Sequence, residues 1–410
     1  MEYGLLGEHL PHSFSKTIHE KLGLYKYDLC EQTLEGFKEL VKSKNFNAAN
    51  VTIPYKETVI PFCDVVEENA QKIGAVNTIV NKNGVIYGYN TDFYGLKLMI
   101  LKNEINIKDK KVLILGNGGA SKAALAVAKD LGAREIIKSD FKNTNDVCSY
   151  DKLAFLHNDA EIIINTTPVG MYPNNDSSLI NLDDYKNVEG VIDVVYNPIN
   201  TKLVIEAKKR GIKATGGLYM LVAQAVKAAD IFLDRNDIIN KLDEIYNELL
   251  LEKTNIVLIG MPASGKSTIS KELKAKMKRE AVDTDALVVE KHGEISKIFE
   301  DFGEKYFRDL ETKVVKEVSK LSGAVIATGG GAILRQENVD ALKQNGKLYF
   351  LNRPLNELIP TDDRPLSNSK EKITKVYNER INIYNSLSDE IINVTNDPKF
   401  AVDQIIHKHK

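Results

Sequence analysis

The chain has 410 residues, 43% of them hydrophobic, and a formal net charge of −2. That length exceeds one ordinary domain, and the near-neutral balance leaves neither nucleic acid nor an anionic membrane as an expected partner. Cys30, Cys63 and Cys148 show no pairing or metal-ligand spacing, so reduced thiols in the cytoplasm are expected. The opening MEYGLLGEHL lacks the basic stretch and long apolar run of a signal peptide, and runs such as EIIIN are far below membrane-spanning length.

In chain order, polar clusters come first. HSFSKTIHE offers Ser13 and Ser15, NVTIPYKE offers Asn50, Thr52 and Lys56, GAVNTI offers Asn77, and GYNTDFYG offers Asn90 and Asp92. Each alone suits a cap, a turn or a solvated side chain. Hydroxyls, amides, one lysine and one aspartate gathered at strand ends suit a polyhydroxylated acid. KVLILG (111–116), REIIKSD (134–140), AEIIINTT (160–167) and GVIDVVYN (190–197) read as buried parallel strands. Helical segments such as SKAALAVAKDLGA separate them, so the architecture expected is α/β. LGNGGASKAA follows a strand and opens a helix. Its glycines allow a tight turn, and the helix start offers amide protons to a dinucleotide pyrophosphate. Two helical stretches, LYMLVAQAVKAADIFL and KLDEIYNELLLEKT, lead to a fresh strand at Asn255, so the main boundary is expected near 248–254.

NIVLIGMPASGKST then satisfies the P-loop pattern through Gly260, Ala263, Ser264, Gly265, Lys266, Ser267 and Thr268. Backbone amides would cradle the phosphates of ATP, Lys266 would reach the β/γ oxygens, and Ser267 would ligate Mg²⁺. Downstream, VDTD places Asp283 and Asp285 after an apolar stretch. Beside a P-loop, one carboxylate can organise Mg²⁺ and its water while the other addresses an acceptor hydroxyl.

The early clusters, with GNGGAS, NTTPVGM and GGLYMLVAQA in order, resemble shikimate dehydrogenase from Gly4 to about Phe232. The resemblance implies a two-lobed unit over 1–250. Its substrate lobe would take about 1–100 plus a returning helix at about 225–247, with a Rossmann lobe over about 101–224. Ser13, Ser15, Thr52, Lys56, Asn77, Asp92, Tyr196 and Gln224 would line the substrate pocket. Gly116, Gly118, Gly119, Ala120 and Ser121 would hold the dinucleotide, with Gly217 and Met220 near its nicotinamide end. Lys56 would be the acid/base and Asp92 its partner. NADP is the family default. However, Lys138-Ser139-Asp140-Phe141-Lys142-Asn143 contains none of the arginines that usually grip a 2′-phosphate. Asp140 falls where a carboxylate would hold a free ribose diol, which makes NAD possible.

The later set, joined by Arg308 in FGEKYFRD, Gly329, Gly330 and Gly331 in ATGGGA, Arg364 in DDRPLS and Arg380 in NERINIY, resembles shikimate kinase. This implies a P-loop-type α/β domain with a parallel sheet over 254–410. Asp285, Arg308, Arg380 and the triple-glycine turn would form the acceptor site, with Asp283 and Ser267 at Mg²⁺. Lys266 and Arg364 would face the transferring phosphoryl group, Arg364 from a lid. That lid, LNELIPTDDRPLS, is shorter than the family pattern and has Pro360 in an arginine's position, so weaker ATP affinity is expected. Together the resemblances imply one cytoplasmic enzyme acting on 3-dehydroshikimate and shikimate. The competing reading is an NAD-dependent quinate/shikimate dehydrogenase with a regulatory or weakly active kinase-like domain.

Overall fold

The computed structural model describes residues 1–10, 14–140, 148–360, 368–395 and 397–409. The chain divides into two compact units, Met1–Glu248 and Leu249–Lys410. No helix among the described residues is long and apolar enough to cross a membrane.

The first unit holds two six-stranded sheets. Strands β1 (Tyr3–Gly7), β2 (Asp28–Glu31), β3 (Ala48–Val51), β4 (Val65–Val66), β5 (Thr78–Lys82) and β6 (Val85–Tyr89) form the first, in the order β2-β1-β3-β5-β6-β4. β1 runs parallel to β2 and β3, whereas β5 is antiparallel to β3 and β6. The β5–β6 hairpin turns at Asn83-Gly84, with φ of 54° and 85°. Two left-handed residues match the twist of a tight hairpin, and Asn-Gly is the pair that tolerates it best. This hairpin was not part of the parallel-strand pattern read above.

The second sheet comprises β7 (Lys111–Leu115), β8 (Glu135–Asp140), β9 (Cys148–Ser149), β10 (Ile162–Asn165), β11 (Gly190–Asp193) and β12 (Lys213–Thr215). Its order is β12-β11-β10-β7-β8-β9, with all pairs parallel. Every residue of β7, β10 and β11 is buried, as continuous apolar runs require when helices cover both faces. The order reverses at β7, so the glycine turn after β7 sits at the crevice where ligands bind this topology. The helix Leu218–Phe232 packs against Thr91–Lys102 and Phe14–Leu22, which flank the first sheet. Gly95 permits that close crossing, because a Cβ there would lie 2.6 Å from the Met220 carbonyl oxygen.

The second unit is one parallel sheet of β13 (Asn255–Ile259), β14 (Ala281–Asp283), β15 (Val325–Ala327), β16 (Gly346–Asn352) and β17 (Glu390–Asn393), ordered β14-β15-β13-β16-β17. Alternate residues of β13 feed separate cores. Val257 and Ile259 meet Leu310, Val314 and Tyr384 on one face, and Ile256 and Leu258 meet Leu273 and Ile405 on the other. The last turn of the helix Leu242–Lys253 is tied to this unit. Arg279 donates to the Leu251 and Thr254 carbonyls at 2.6 and 2.8 Å, and Gly323 donates to Lys253 at 2.9 Å. The α/β architecture, with a Rossmann-like sheet followed by a P-loop-type sheet, is the one the sequence predicts.

Candidate functional site

A cleft of about 700 Å³ opens in the first unit, lined by Ser15, Thr52, Lys56, Asn77 and Asp92 from the helices and turns flanking the first sheet, and by Ala120, Tyr196 and Gly217 from those flanking the second. Met220 and Gln224, on the helix Leu218–Phe232, complete the expected set. Ser13 lies outside the described residues. Lys56 Nζ donates to Asp92 Oδ2 at 2.6 Å, with both side chains largely buried. Asp92 occupies the first turn of the helix Thr91–Lys102, where a carboxylate also meets the positive end of the helix dipole. An ammonium so fixed at a cleft wall can hold a developing oxyanion and give it a proton.

The neighbouring amides divide their work. Asn77 Oδ1 accepts from the Thr91 amide at 2.7 Å and from the Thr78 hydroxyl at 3.0 Å, which sets the orientation of its carboxamide. Asn50 lines the cleft as well, with its carboxamide held in place by the fold. Its Oδ1 accepts from Tyr27 at 2.7 Å and its Nδ2 donates to Thr78 at 3.1 Å. Asn90 caps the helix, accepting from Phe93 N at 3.1 Å. Gln224 donates to the Leu221 carbonyl at 2.9 Å and accepts from Thr91 at 3.4 Å. Tyr196 stands edge-on to Phe14, and burial holds its phenol above the usual value.

Sequence reasoning missed Asp193. It ends β11 fully buried and accepts from Thr201 Oγ1 at 2.7 Å, Asn165 Nδ2 at 2.9 Å and Val195 N at 3.0 Å. Burial pushes its carboxyl up to about 6 despite those three donors. By fixing the chain at Val195 it positions Val194 and Tyr196 at the cleft. The signal was a lone aspartate inside the apolar run GVIDVV.

The glycine turn fits a dinucleotide. Gly118 precedes the helix Gly119–Asp130, and a Cβ on Gly118 or Gly119 would meet nothing within 4 Å, so this helix start borders open space. Gly116 N donates to the Ser139 carbonyl at 2.8 Å, which sets Asp140, the last residue of β8, beside the turn. Ser121 is buried and donates to the Gly118 carbonyl at 2.7 Å, so its hydroxyl shapes the turn from within. Residues 141–143 of the arginine-free stretch lie outside the described residues.

In the second unit the P-loop joins β13 to the helix Lys266–Met277. Lys266 Nζ donates to the Gly260 and Met261 carbonyls at 2.9 and 2.8 Å. Ser264 is fully buried, and its hydroxyl has no hydrogen-bond partner among the described residues. Ser267 and Thr268 are exposed at the helix start. Ser267 Oγ donates to Asp283 Oδ2 at 2.6 Å, while Asp283 Oδ1 caps the next helix by accepting from Asp285 N at 3.0 Å. This is a pair of hard oxygen donors at the phosphate end of the loop, of the kind Mg²⁺ accepts.

Asp285 faces the triple-glycine turn: a Cβ on Gly329 would run into its carboxylate, and one on Gly331 into the Arg308 guanidinium. Arg308 donates to Glu311 Oε2 at 2.8 Å and to Glu304 Oε1 at 3.0 Å. Burial raises the Glu311 carboxyl, an effect that Arg308 opposes. Arg380 is buried and donates to the Gly330 carbonyl at 3.0 Å. Glu304, Glu311 and Tyr384 were missed, although each lies three or four residues from a named arginine on the same helix. Arg364 and most of the expected lid lie outside the described residues.

Comparison with known proteins agrees with both geometries. The model of the shikimate kinase family matches residues 262–410, and that of the shikimate dehydrogenase substrate binding domain matches residues 5–79. A shikimate dehydrogenase (NADP(+)) of Clostridium beijerinckii is 38% identical over 247 residues, covering 56% of this chain and 91% of that protein. Among solved structures, a chorismate mutase/shikimate 5-dehydrogenase fusion protein from Clostridium acetobutylicum is similar at 39% identity and a TM-score of 0.57. It covers 60% of this chain and 96% of that one. The shikimate 5-dehydrogenase from Listeria monocytogenes, in complex with shikimate and NAD, is similar at 30% identity and a TM-score of 0.52, covering 60% and 96%. Both resemblances read from the sequence are thereby borne out. The chain belongs to the shikimate dehydrogenase family and carries a shikimate kinase domain in its C-terminal part, which makes it an enzyme of the shikimate pathway.

Proposed function

We propose that the chain catalyses two consecutive steps: reduction of 3-dehydroshikimate to shikimate, then phosphorylation of shikimate at its 3-hydroxyl. The observation that carries the first is the Lys56–Asp92 pair at 2.6 Å in the wall of the cleft. A nicotinamide cofactor at the glycine turn would supply hydride. Lys56 would hold the ketone oxygen and deliver a proton to it, and Asp92 would keep the ammonium aimed. Asn77, Thr52, Ser15, Tyr196 and Gln224 would orient the acid's hydroxyls and carboxylate. The relatives' names support NADP; Asp140 beside the turn favours NAD by like-charge repulsion of a 2′-phosphate.

In the second step Lys266 and the P-loop amides would bind the donor phosphates, with Ser267 and Asp283 at Mg²⁺. When bound, the ion neutralises phosphate charge. Asp285 would hold the attacking hydroxyl, and Arg308 and Arg380 would take the acid's carboxylate. A cytoplasmic location and the division into 1–250 and 254–410 belong to the same reading.

A coupled assay tests it. Purified protein receives 3-dehydroshikimate, NADPH or NADH, and Mg-ATP, and shikimate 3-phosphate should accumulate. The ratio of kcat/KM for the two reduced cofactors assigns the cofactor. Reduction without shikimate-dependent ADP formation would leave the kinase half as a regulatory module.

A further inference from the structure

In the second unit, one phenol joins the donor loop to the acceptor turn. Tyr384 Oη lies 2.9 Å from the Gly260 carbonyl oxygen, at the start of the P-loop, and 2.5 Å from the Gly330 carbonyl oxygen. Neither carbonyl can donate, so the single phenolic proton is shared between them. Among the described residues each carbonyl has one further partner: Lys266 Nζ on Gly260 at 2.9 Å, and Arg380 Nη1 on Gly330 at 3.0 Å. A continuous chain therefore runs from the phosphate-binding lysine, through Gly260, Tyr384 and Gly330, to the acceptor-side arginine.

The ring carrying this hydroxyl is fixed. Tyr384 is fully buried and stacks on Phe350 at 5.0 Å and 6° between planes. Phe350 pairs in register with Ile259, the residue before Gly260, on adjacent strands. Tyr384 and Arg380 also share the helix Lys370–Leu387, one turn apart. One helix thus meets both turns, and a rigid ring sets where its hydroxyl stands.

We propose that Tyr384 is a positioning residue for phosphoryl transfer, holding the P-loop and the triple-glycine turn at one spacing whichever way the two cations point. The proposal rests on the kinase reading above. A ligand draws Lys266 toward phosphate and Arg380 toward carboxylate, and the phenol then remains as the donor common to both turns. In-line transfer tolerates little error in the distance between donor and acceptor, so the loss of this tie falls on turnover rather than on either binding step.

Tyr384→Phe removes the hydroxyl and keeps the ring. Gly260 and Gly330 retain Lys266 and Arg380 as donors in the resting protein, so neither carbonyl is orphaned and the fold should persist. The full chain is assayed for shikimate-dependent ADP formation, and titration calorimetry gives Kd for MgADP and for shikimate separately. Expected is a fall in kcat of at least tenfold with both dissociation constants within threefold of the parent. Introducing 4-aminophenylalanine at position 384, whose amine has a proton for each carbonyl, should restore kcat to within threefold. The inference is overturned by an unchanged kcat in Tyr384→Phe, by a loss that follows weakened binding of either ligand, or by an inactive aminophenylalanine variant. A parent chain that forms no ADP with shikimate would instead count against the kinase reading itself.

Discussion

At the scale of the residue, the two sites treat lysine differently. Lys56 is paired with a carboxylate at 2.6 Å, whereas Lys266 rests on two carbonyls. A partner of full opposite charge holds the ammonium in place before substrate arrives. Lys56→Ala should lower dehydrogenase kcat by about 10²–10⁴, the range of a lost general acid, with the Kd for reduced cofactor nearly unchanged. Steady-state kinetics beside a cofactor titration checks both halves of that statement. Ala263 is the second residue-scale case, because it holds φ at 63° within the P-loop without being glycine. Ala263→Gly should raise the stability of the second unit by about 1 kcal/mol, the typical cost of a β-carbon in that region. With no tryptophan in the chain, urea unfolding followed by circular dichroism is the suitable measurement.

At the scale of the element, legibility followed burial. KVLILG reads as a strand because both faces of β7 are covered, which leaves only apolar residues after Lys111. The hairpin around Asn83-Gly84 was less visible, since β6 alternates buried with exposed or half-buried residues over only five positions. Lys56 and Asp92 stood out by chemical type. Asn90 had the same credentials, and only its hydrogen bond to Phe93 N reveals that it caps a helix. Tyr384 was hidden for the opposite reason: a tyrosine on a helix face is ordinarily core, and its ring is indeed in the core. The crossing at Gly95 shows how elements place a site residue. Gly95→Ala should force the helix Leu218–Phe232 outward at a cost of about 1–3 kcal/mol. Gln224 and Met220 move with that helix, so KM for 3-dehydroshikimate should rise more than kcat falls. A thermal melt and a substrate titration on the same preparation separate the two effects.

At the scale of the whole molecule, two buried groups in the first unit make stability depend on pH in opposite senses. Burial lowers His19 to about 3 from an ordinary 6.5. A depressed folded value contributes stability that is complete above about pH 6.5 and is lost as pH falls toward 3. Burial raises Asp193 to about 6 from 3.8. A raised folded value contributes stability that is present below about pH 4 and is lost as pH climbs through 6. Between pH 4 and 6 the two slopes oppose each other. Asp193→Asn removes one of them, so stability should fall more steeply on acidification in the variant than in the parent. Equal slopes in urea titrations at pH 4, 5 and 6 would contradict this assignment.

The space above the two kinds of glycine has a consequence for what selection can detect. Gly118 and Gly119 would accept a methyl group without touching the protein, whereas Gly217 would drive one into the Val194 carbonyl. On the proposed dinucleotide reading, the first pair would be required by the ligand, whereas the second residue is required by the chain itself. A library screened for folded protein alone should therefore recover alanine at 118 and 119 but not at 217, and a screen for dehydrogenase turnover should reject all three. Where those two screens disagree along the sequence, they would trace the outline of the cofactor.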